Sequence, residues 1–162
     1  MRPRILIYED NDILLSTLKY VFSERGYEVF AFSEPKMCQA FDSVDLTCPA
    51  DFACADVIIS DVNMPTKNGL DLIKERQQKG CRIKYRALMS ADWTDSDLKS
   101  AHELGYYIFH KPFELKEMLK WLDDCRDELN REKKSETTSS AGDMGKAPGR
   151  DRGHALQWIA DL

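Results

Sequence analysis

Carboxylate, hydroxyl and amino side chains follow four of the apolar segments in the 162-residue sequence. Glu9 and Asp10 follow the first segment, Asp61 ends a later one, and Ser90 and Lys111 follow two more. If these segments are parallel strands, their carboxyl ends share one edge of a sheet, so the five side chains meet in one pocket. Crowded carboxylates repel one another unless a cation neutralises them, and oxygen ligands with room for water favour Mg²⁺. The pattern therefore predicts a magnesium site at this edge.

The segment that ends at Asp61 is a short run of branched apolar residues without alternation, which is typical of a strand buried on both faces. Pro65 cannot continue a central strand, and Asn68 and Gly69 provide turn chemistry before the next helical segment. Asp61 is therefore expected where a strand meets a loop. Taken alone, an Asp beside a Pro is more often a simple turn cap, so the interpretation depends on the other side chains.

Apolar periodicity predicts the elements that position these residues. Strands are predicted at Arg4–Tyr8, Tyr27–Phe32, Asp56–Asp61, Arg82–Met89 and Tyr106–His110. Helices are predicted at Asp12–Arg25, Ser33–Phe41, Leu70–Lys79, Thr94–Leu104 and Glu114–Lys133, with a long loop at Asp42–Ala55. Five strands alternating with five helices predict an α/β fold, a doubly wound five-stranded parallel sheet with helices on both faces.

One predicted strand differs from the others in its polarity. Arg82, Lys84 and Arg86 alternate with apolar residues, which favours a half-solvated strand over one buried on both faces. Only Ala87–Met89 has the composition of a fully interior segment.

Composition limits the function classes. The net charge of -5 and the pI near 5.3 provide no electrostatic footprint for nucleic acid or for an anionic membrane, so direct DNA binding is not expected. The first apolar run is too short for a signal peptide or a membrane span, and a cytoplasmic protein is predicted. The length suits one domain at residues 1–133, and the Ser-, Gly- and Pro-rich composition of residues 134–162 predicts a disordered tail.

The five cysteines form an odd set without a Cys-x-x-Cys pair, so free thiols are expected and neither a disulfide framework nor a zinc site is indicated. Cys48 and Cys54 flank an unusual loop, and a redox or metal role for that loop is left open.

The carboxylate, hydroxyl and amino residues of the predicted pocket form part of several short motifs. The sequence contains an acidic pair, an Asp followed four residues later by Pro and eight later by Gly, a Ser-Ala pair and a Lys-Pro pair. Each motif is weak alone, but all fall on the appropriate predicted elements. The region from Arg4 to Lys133 thereby resembles the receiver domain of bacterial two-component response regulators, the CheY-like family, which implies a flavodoxin-like fold.

The resemblance implies a role for each acidic residue. Asp61 would be the phosphoacceptor that attacks the phosphoryl group of a phosphohistidine on a sensor histidine kinase or phosphotransfer protein. Asp10 and Asp61 would hold Mg²⁺ through their side chains, Glu9 directly or through water, and Asn63 through its backbone carbonyl.

The resemblance also implies roles for the other residues of the pocket. Lys111 would pair with a phosphoryl oxygen, in a peptide that is cis to Pro112, and the Ser90 hydroxyl would move to hydrogen-bond the phosphoryl group. Asn63 and Asp92 would flank the attacking water during dephosphorylation and so tune the phosphoryl lifetime.

One position departs from the family pattern. The family usually has Tyr or Phe three residues before the lysine, as a switch that works with the Ser90 position, and this sequence has Ile108 there. Tyr107 could replace the missing ring only if the strand shifted register. The sequence therefore does not identify the residues that transmit a change at Ser90 to the output surface.

The resulting hypothesis is a single-domain response regulator that is not an enzyme and signals by phosphorylation-dependent protein contact. The tail is too short for a helix-turn-helix domain, so no effector domain is expected, and the downstream target is unknown. The expected output surface comprises the predicted elements at Thr94–Leu104, Tyr106–His110 and Glu114–Lys133, through which a homodimer could also form.

Three alternatives remain. A haloacid-dehalogenase-like phosphatase also uses a strand-end Asp, a Ser or Thr, a Lys and Mg²⁺, but it normally requires a second Asp where this sequence has Asn63. A receiver-like scaffold would bind its partner without phosphorylation, and a phosphate sink would lose the phosphoryl group rapidly without a partner.

Overall fold

The computed structural model describes residues 2–35 and 53–139. Five strands of this part form one parallel sheet with the order β2-β1-β3-β4-β5. The strands are β1 (Arg4–Tyr8), β2 (Glu28–Phe32), β3 (Val57–Asp61), β4 (Tyr85–Ser90) and β5 (Tyr107–His110). Since β1 pairs with both β2 and β3, the strand order reverses beside β1, which is where ligands bind in open α/β sheets. The predicted doubly wound α/β fold is confirmed.

The described residues contain four helices, whereas the sequence predicts five. They are α1 (Asp12–Glu24), α2 (Gly69–Gln78), α3 (Asp95–Glu103) and α4 (Leu115–Ser139). The predicted helix Ser33–Phe41 and the predicted loop Asp42–Ala55 fall largely outside the described residues. No helix in the described ranges is long and apolar enough to cross a membrane.

The chain divides into two compact units, Met1–Pro112 and Phe113–Leu162. The sheet, α1, α2 and α3 belong to the first unit, and α4 belongs to the second. The structure extends α4 to Ser139, beyond the predicted end at Lys133. The remainder of the predicted tail, residues 140–162, lies outside the described part of the chain.

Polar side chains cap the helices that begin next to the carboxyl edge of the sheet. Asn11 caps α1, because its side-chain oxygen accepts hydrogen bonds from the backbone N–H groups of Ile13 and Leu14 at 3.1 and 3.0 Å. Asn68 caps α2 in the same way. At α3 the Thr94 hydroxyl accepts from the Asp97 N–H at 3.1 Å and donates to the Asp97 carboxylate at 2.7 Å. These caps fix where the loops before α1, α2 and α3 end.

The fourth strand begins later than predicted. β4 starts at Tyr85, which lies opposite Val57, the first residue of β3. Arg82 and Lys84 precede the strand because β3 has no residue opposite them to complete a ladder. The prediction of a strand from Arg82 was therefore wrong, whereas the interior position of Ala87–Met89 is confirmed.

The strand that carries Asp61 is buried along its whole length, as predicted for a strand covered on both faces. Its Ile58 side chain joins a core cluster that also contains residues of β1, α2 and β4. The large members of this cluster include Leu6, Tyr8, Ile58, Leu72, Ile73 and Leu88. A packed core of this kind holds the strand ends at fixed distances from one another.

Candidate functional site

The carboxyl edge of the sheet brings the predicted site residues together. Glu9 and Asp10 follow β1, Asp61 is the last residue of β3, and Ser90 is the last residue of β4. Lys111 follows β5, and its backbone N–H donates to the Ser90 carbonyl at 2.7 Å. Sheet register thus places residues that are remote in sequence at a single edge.

Lys111 bridges two buried carboxylates. Its Nζ lies 2.7 Å from Oε2 of Glu9 and 2.5 Å from Oδ1 of Asp61. Glu9 is 1% exposed and the Asp61 side chain 6% exposed, so both ion pairs are shielded from solvent. The Lys111–Pro112 peptide is cis, as the resemblance implied. The sequence predicts that Lys111 lies at the edge, but it does not predict the pairing with Glu9.

Burial and charge shift the pKa values of this pair. Burial raises the pKa of the Glu9 carboxyl, the nearby Asp61 charge adds to that effect, and the Lys111 contacts only partly oppose it. For Lys111, burial by itself lowers the pKa, but the hydrogen bonds to Asp61 and Glu9 outweigh it and raise the pKa above the ordinary value. Lys111 is therefore positively charged at neutral pH.

Three carboxylates at this edge could share a metal ion. Glu9, Asp10 and Asp61 each offer an oxygen, and these oxygens lie within 4.8 Å of one another. Asp10 is exposed, so the cluster is open to water on one side. Three carboxylates against one ammonium leave an excess of negative charge when all are ionised, and an all-oxygen donor set suits a hard cation such as Mg²⁺. The residues therefore fit the predicted metal.

The Ser90 hydroxyl is held by three hydrogen bonds. It accepts from the side-chain amide of Asn63 at 2.9 Å and from the backbone N–H of Asp92 at 3.1 Å. It donates to the Asp92 carbonyl oxygen at 2.9 Å. The Asn63 amide also donates to the Asp92 carbonyl oxygen at 3.5 Å. The Asn63 side chain thus contacts the loop after β4, which its predicted roles did not include.

The turn after Asp61 depends on a close backbone approach. A Cβ atom at Gly69 would lie 1.9 Å from the Asp61 carbonyl oxygen and 2.6 Å from the Ser60 hydroxyl oxygen. Only glycine leaves room for the start of α2 beside the end of β3. The Gly eight residues after Asp61 was the sequence signal for this contact.

The position that is usually aromatic in the family is occupied by an aliphatic residue, Ile108. Ile108 lies opposite Leu88 and packs against the core cluster. The Tyr107 ring lies 4.7 Å from the Phe109 ring, and these two residues point to the face opposite Ile108 because side chains alternate along a strand. The register shift that would let Tyr107 replace the missing ring has not occurred.

Trp93 is a residue of this edge that the sequence reasoning did not select. Its ring centroid lies 5.8 Å from that of His110, at the end of β5. The signal that could have found it is an aromatic residue in the short loop between Ser90 and the cap of α3.

The family assignment follows from comparison with known proteins. Residues 5–123 match the response regulator receiver domain, which is most of the chain. The chain belongs to this family. Receiver domains are signalling switches of two-component systems, and they interact with histidine kinases or phosphotransfer proteins.

Individual relatives of the receiver domain agree with this assignment. The aerobic respiration control protein ArcA of Escherichia coli K12 is 35% identical over 78 residues, which cover 48% of this chain and 29% of ArcA. A probable transcriptional regulatory protein of Picosynechococcus is 30% identical over 138 residues, covering 81% of this chain and 51% of the relative. The chain thus spans about half or less of these relatives, and the single-domain organisation stays a prediction.

A solved receiver domain has the same fold. The non-phosphorylated HemR receiver domain from Leptospira biflexa superposes with a TM-score of 0.62 at 29% identity. The match covers 76% of this chain and 94% of the HemR chain. The flavodoxin-like arrangement implied by the sequence is therefore confirmed.

Proposed function

We propose that this receiver accepts a phosphoryl group on Asp61 from a phosphohistidine of a sensor histidine kinase or phosphotransfer protein. The observation that carries the proposal is the Lys111 ammonium, which contacts Asp61 and Glu9 beside a third carboxylate, Asp10. This arrangement combines a nucleophile with a cation that can neutralise an incoming phosphoryl oxygen.

The proposed transfer forms an acyl phosphate. A carboxylate oxygen of Asp61 attacks phosphorus, the phosphorus–nitrogen bond of phosphohistidine breaks, and its electron pair returns to the imidazole. Lys111 already lies 2.5 Å from Oδ1 of Asp61, so it needs little movement to contact the transferred group. The Ser90 hydroxyl is the proposed second contact.

Glu9, Asp10 and Asp61, together with the Asn63 backbone carbonyl, are the proposed ligands of Mg²⁺. When bound, the ion would supply charge neutralisation for the phosphoryl oxygens. Without it, two carboxylates besides Asp61 repel an incoming phosphate, so donor uptake should require the metal.

Loss of the phosphoryl group is proposed to be self-catalysed and stoichiometric, not enzymatic turnover. Asn63 and Asp92 are the proposed neighbours of the attacking water. Asn63 is neutral and donates to Ser90, so it cannot act as the carboxylate acid/base that a haloacid-dehalogenase-like phosphatase needs. This disfavours the phosphatase alternative.

Output is proposed to pass through protein contacts around α3 and β5, with a second copy of the chain as one candidate partner. β5 is an edge strand of the described sheet, and its Tyr107 is 39% exposed. The exchange is proposed to occur in the cytoplasm.

Intact mass spectrometry tests the proposal. The protein is incubated with Mg²⁺ and acetyl phosphate beside Asp61→Asn, with exposed Asp71→Asn as the matched control. We expect one phosphoryl group on the parent and on Asp71→Asn, but none on Asp61→Asn or in EDTA. No uptake despite measured Mg²⁺ binding would replace the proposal with the phosphorylation-independent scaffold.

A further inference from the structure

We infer that Trp93 reports the state of the Ser90 hydroxyl, and that phosphorylation of Asp61 turns its indole ring from His110 toward solvent. The inference rests on the proposed phosphorylation of Asp61. The usual aromatic switch position of the family is Ile108 here, which has no ring. The inference assigns the role of a moving aromatic ring to Trp93, a residue of the loop after β4.

The first step is the hydrogen-bonding capacity of Ser90. A hydroxyl has one donor and two acceptor positions, and all are filled: Asn63 and the Asp92 N–H donate to it, and it donates to the Asp92 carbonyl. Its only proton must leave the Asp92 carbonyl before it can bond a phosphoryl oxygen on Asp61. Binding the phosphoryl group therefore removes the shorter hydrogen bond to the Asp92 carbonyl and leaves it only the 3.5 Å bond from the Asn63 amide, so the backbone at Asp92 is held less tightly.

The second step is the shortness of the loop. β4 ends at Ser90, and Thr94 is fixed as the cap of α3 by its two hydrogen bonds to Asp97. Between them lie only Ala91, Asp92 and Trp93. A backbone change at Asp92 must therefore be absorbed by its immediate neighbours, and Trp93 has the side chain that can move.

The third step is the environment of the indole. Trp93 packs against the core cluster and lies beside the His110 ring. Its Nε1 atom is buried and, within residues 2–35 and 53–139, has no hydrogen-bond partner. A buried donor without a partner is unfavourable, because in water the same N–H is satisfied. The indole thus gains a hydrogen bond when the loop releases it.

The consequence is a change in the surface between the loop and β5. In the structure, the Trp93 ring lies beside exposed His110. After release, the indole faces solvent and uncovers the side of His110. Phosphorylation at the sheet edge thereby alters a surface that a partner protein can contact.

Tryptophan fluorescence tests this inference. The chain has three tryptophans, Trp93, Trp121 and Trp158, so a Trp121→Phe, Trp158→Phe protein isolates the signal of Trp93. Mg²⁺ and acetyl phosphate are added, and intact mass gives the phosphoryl occupancy of the same sample. We expect the Trp93 emission to shift to longer wavelength and iodide quenching to increase with occupancy.

Two comparisons distinguish a movement of Trp93 that depends on Ser90 from a general change in the conformation of the protein. Ser90→Ala in the same background, compared at equal phosphoryl occupancy, should lose the shift. A protein whose only tryptophan is Trp121, made with Trp93→Phe and Trp158→Phe, should keep its emission unchanged. If the isolating variants do not fold, ¹⁹F NMR of the 5-fluorotryptophan-labelled natural sequence provides the same comparison.

Phosphoryl uptake without a change at Trp93 would overturn the inference and leave the proposed function intact. A shift of equal size in Ser90→Ala, or in the Trp121-only protein, would also overturn it. Absence of phosphoryl uptake would instead overturn the proposed function, and this inference with it.

Discussion

The side-chain amide of Asn63 donates a hydrogen bond of 2.9 Å to the Ser90 hydroxyl, although 27 positions separate the two residues. The bond joins the loop after β3 to the end of the neighbouring strand β4. It occupies one acceptor position of the hydroxyl and so helps to hold Ser90 in its contacts with Asp92.

Replacing Asn63 with Ala should favour the phosphorylated conformation. In the parent, the hydrogen bond from Asn63 must adapt when Ser90 reorients. The variant lacks this bond, and such a bond contributes about 0.5–1.5 kcal/mol. We expect affinity for beryllium fluoride, an unhydrolysed phosphoryl mimic, to rise roughly 2- to 10-fold in calorimetric titrations with Mg²⁺. The backbone carbonyl proposed as a metal ligand is retained.

Asp92→Ala is the matched control for Asn63→Ala. Ser90 bonds only the backbone of Asp92, so this substitution should leave beryllium fluoride affinity near that of the parent. Unchanged or weaker affinity in Asn63→Ala would show that its amide does not restrain the switch.

Gly69→Ala should destabilise the fold and damage the site. The added Cβ would lie 1.9 Å from the Asp61 carbonyl oxygen, so the backbone beside the phosphoacceptor must move. We expect the free energy of unfolding in urea to fall by about 3 kcal/mol, the upper part of the usual range for overpacking. Mg²⁺ affinity should fall as well.

Gly80→Ala separates this clash from ordinary glycine strain. Gly80 has φ +81°, and no heavy atom lies within 4 Å of the position that a Cβ would occupy. Its substitution should cost about 1–2 kcal/mol from the left-handed backbone alone and leave Mg²⁺ affinity unchanged. Equal losses in the two variants would contradict the close-approach explanation.

Asp10→Asn should remove stabilisation by Mg²⁺ without harming the metal-free fold. Asp10 is exposed, so its charge contributes little to folding in EDTA. In the parent, Mg²⁺ at 100 times its Kd should stabilise the native state by about 2.7 kcal/mol. Thermal unfolding with and without Mg²⁺ measures this increment, which should be largely lost in Asp10→Asn. A full increment in the variant would exclude Asp10 as a ligand.

Glu9 should make the metal-free protein less stable as pH rises from 4.5 into the neutral range. The pKa of Glu9 is raised above 4.5 by burial, so over this range the folded state holds more protons than the unfolded state. The free energy of unfolding then falls with increasing pH until Glu9 is ionised in both states. Urea unfolding in EDTA at a series of pH values measures the slope.

Glu9→Gln removes this titration, and its stability should decrease less over the same pH range. Exposed Glu24→Gln provides the control and should reproduce the parent's pH dependence. A parent and a Glu9→Gln variant with parallel pH profiles would contradict the role of Glu9.

The elements that bear the site were predictable because their signals are local. The apolar run of β1 has the predicted bounds Arg4–Tyr8, and α1 begins at the predicted residue, Asp12. Gly69 marked the tight turn that the structure requires. Each of these signals depends on residue types within a few positions of the element itself.

Element ends were less predictable because they depend on remote partners or on weak propensities. β4 begins at Tyr85 and not at Arg82, since its start is determined by where β3 begins. α4 continues to Ser139 through polar residues that were predicted to form a tail. A polar composition does not by itself end a helix that has already begun.

The sequence by itself determined which chemical groups reach the site, because the carboxyl ends of parallel strands share one edge whatever the details of packing. Only the tertiary structure decided how those groups pair: Lys111 with both Glu9 and Asp61, and Asn63 with Ser90. It also placed Trp93 beside His110. These contacts join residues far apart in the chain, so their distances follow from sheet register and core packing, which no local pattern of residues specifies.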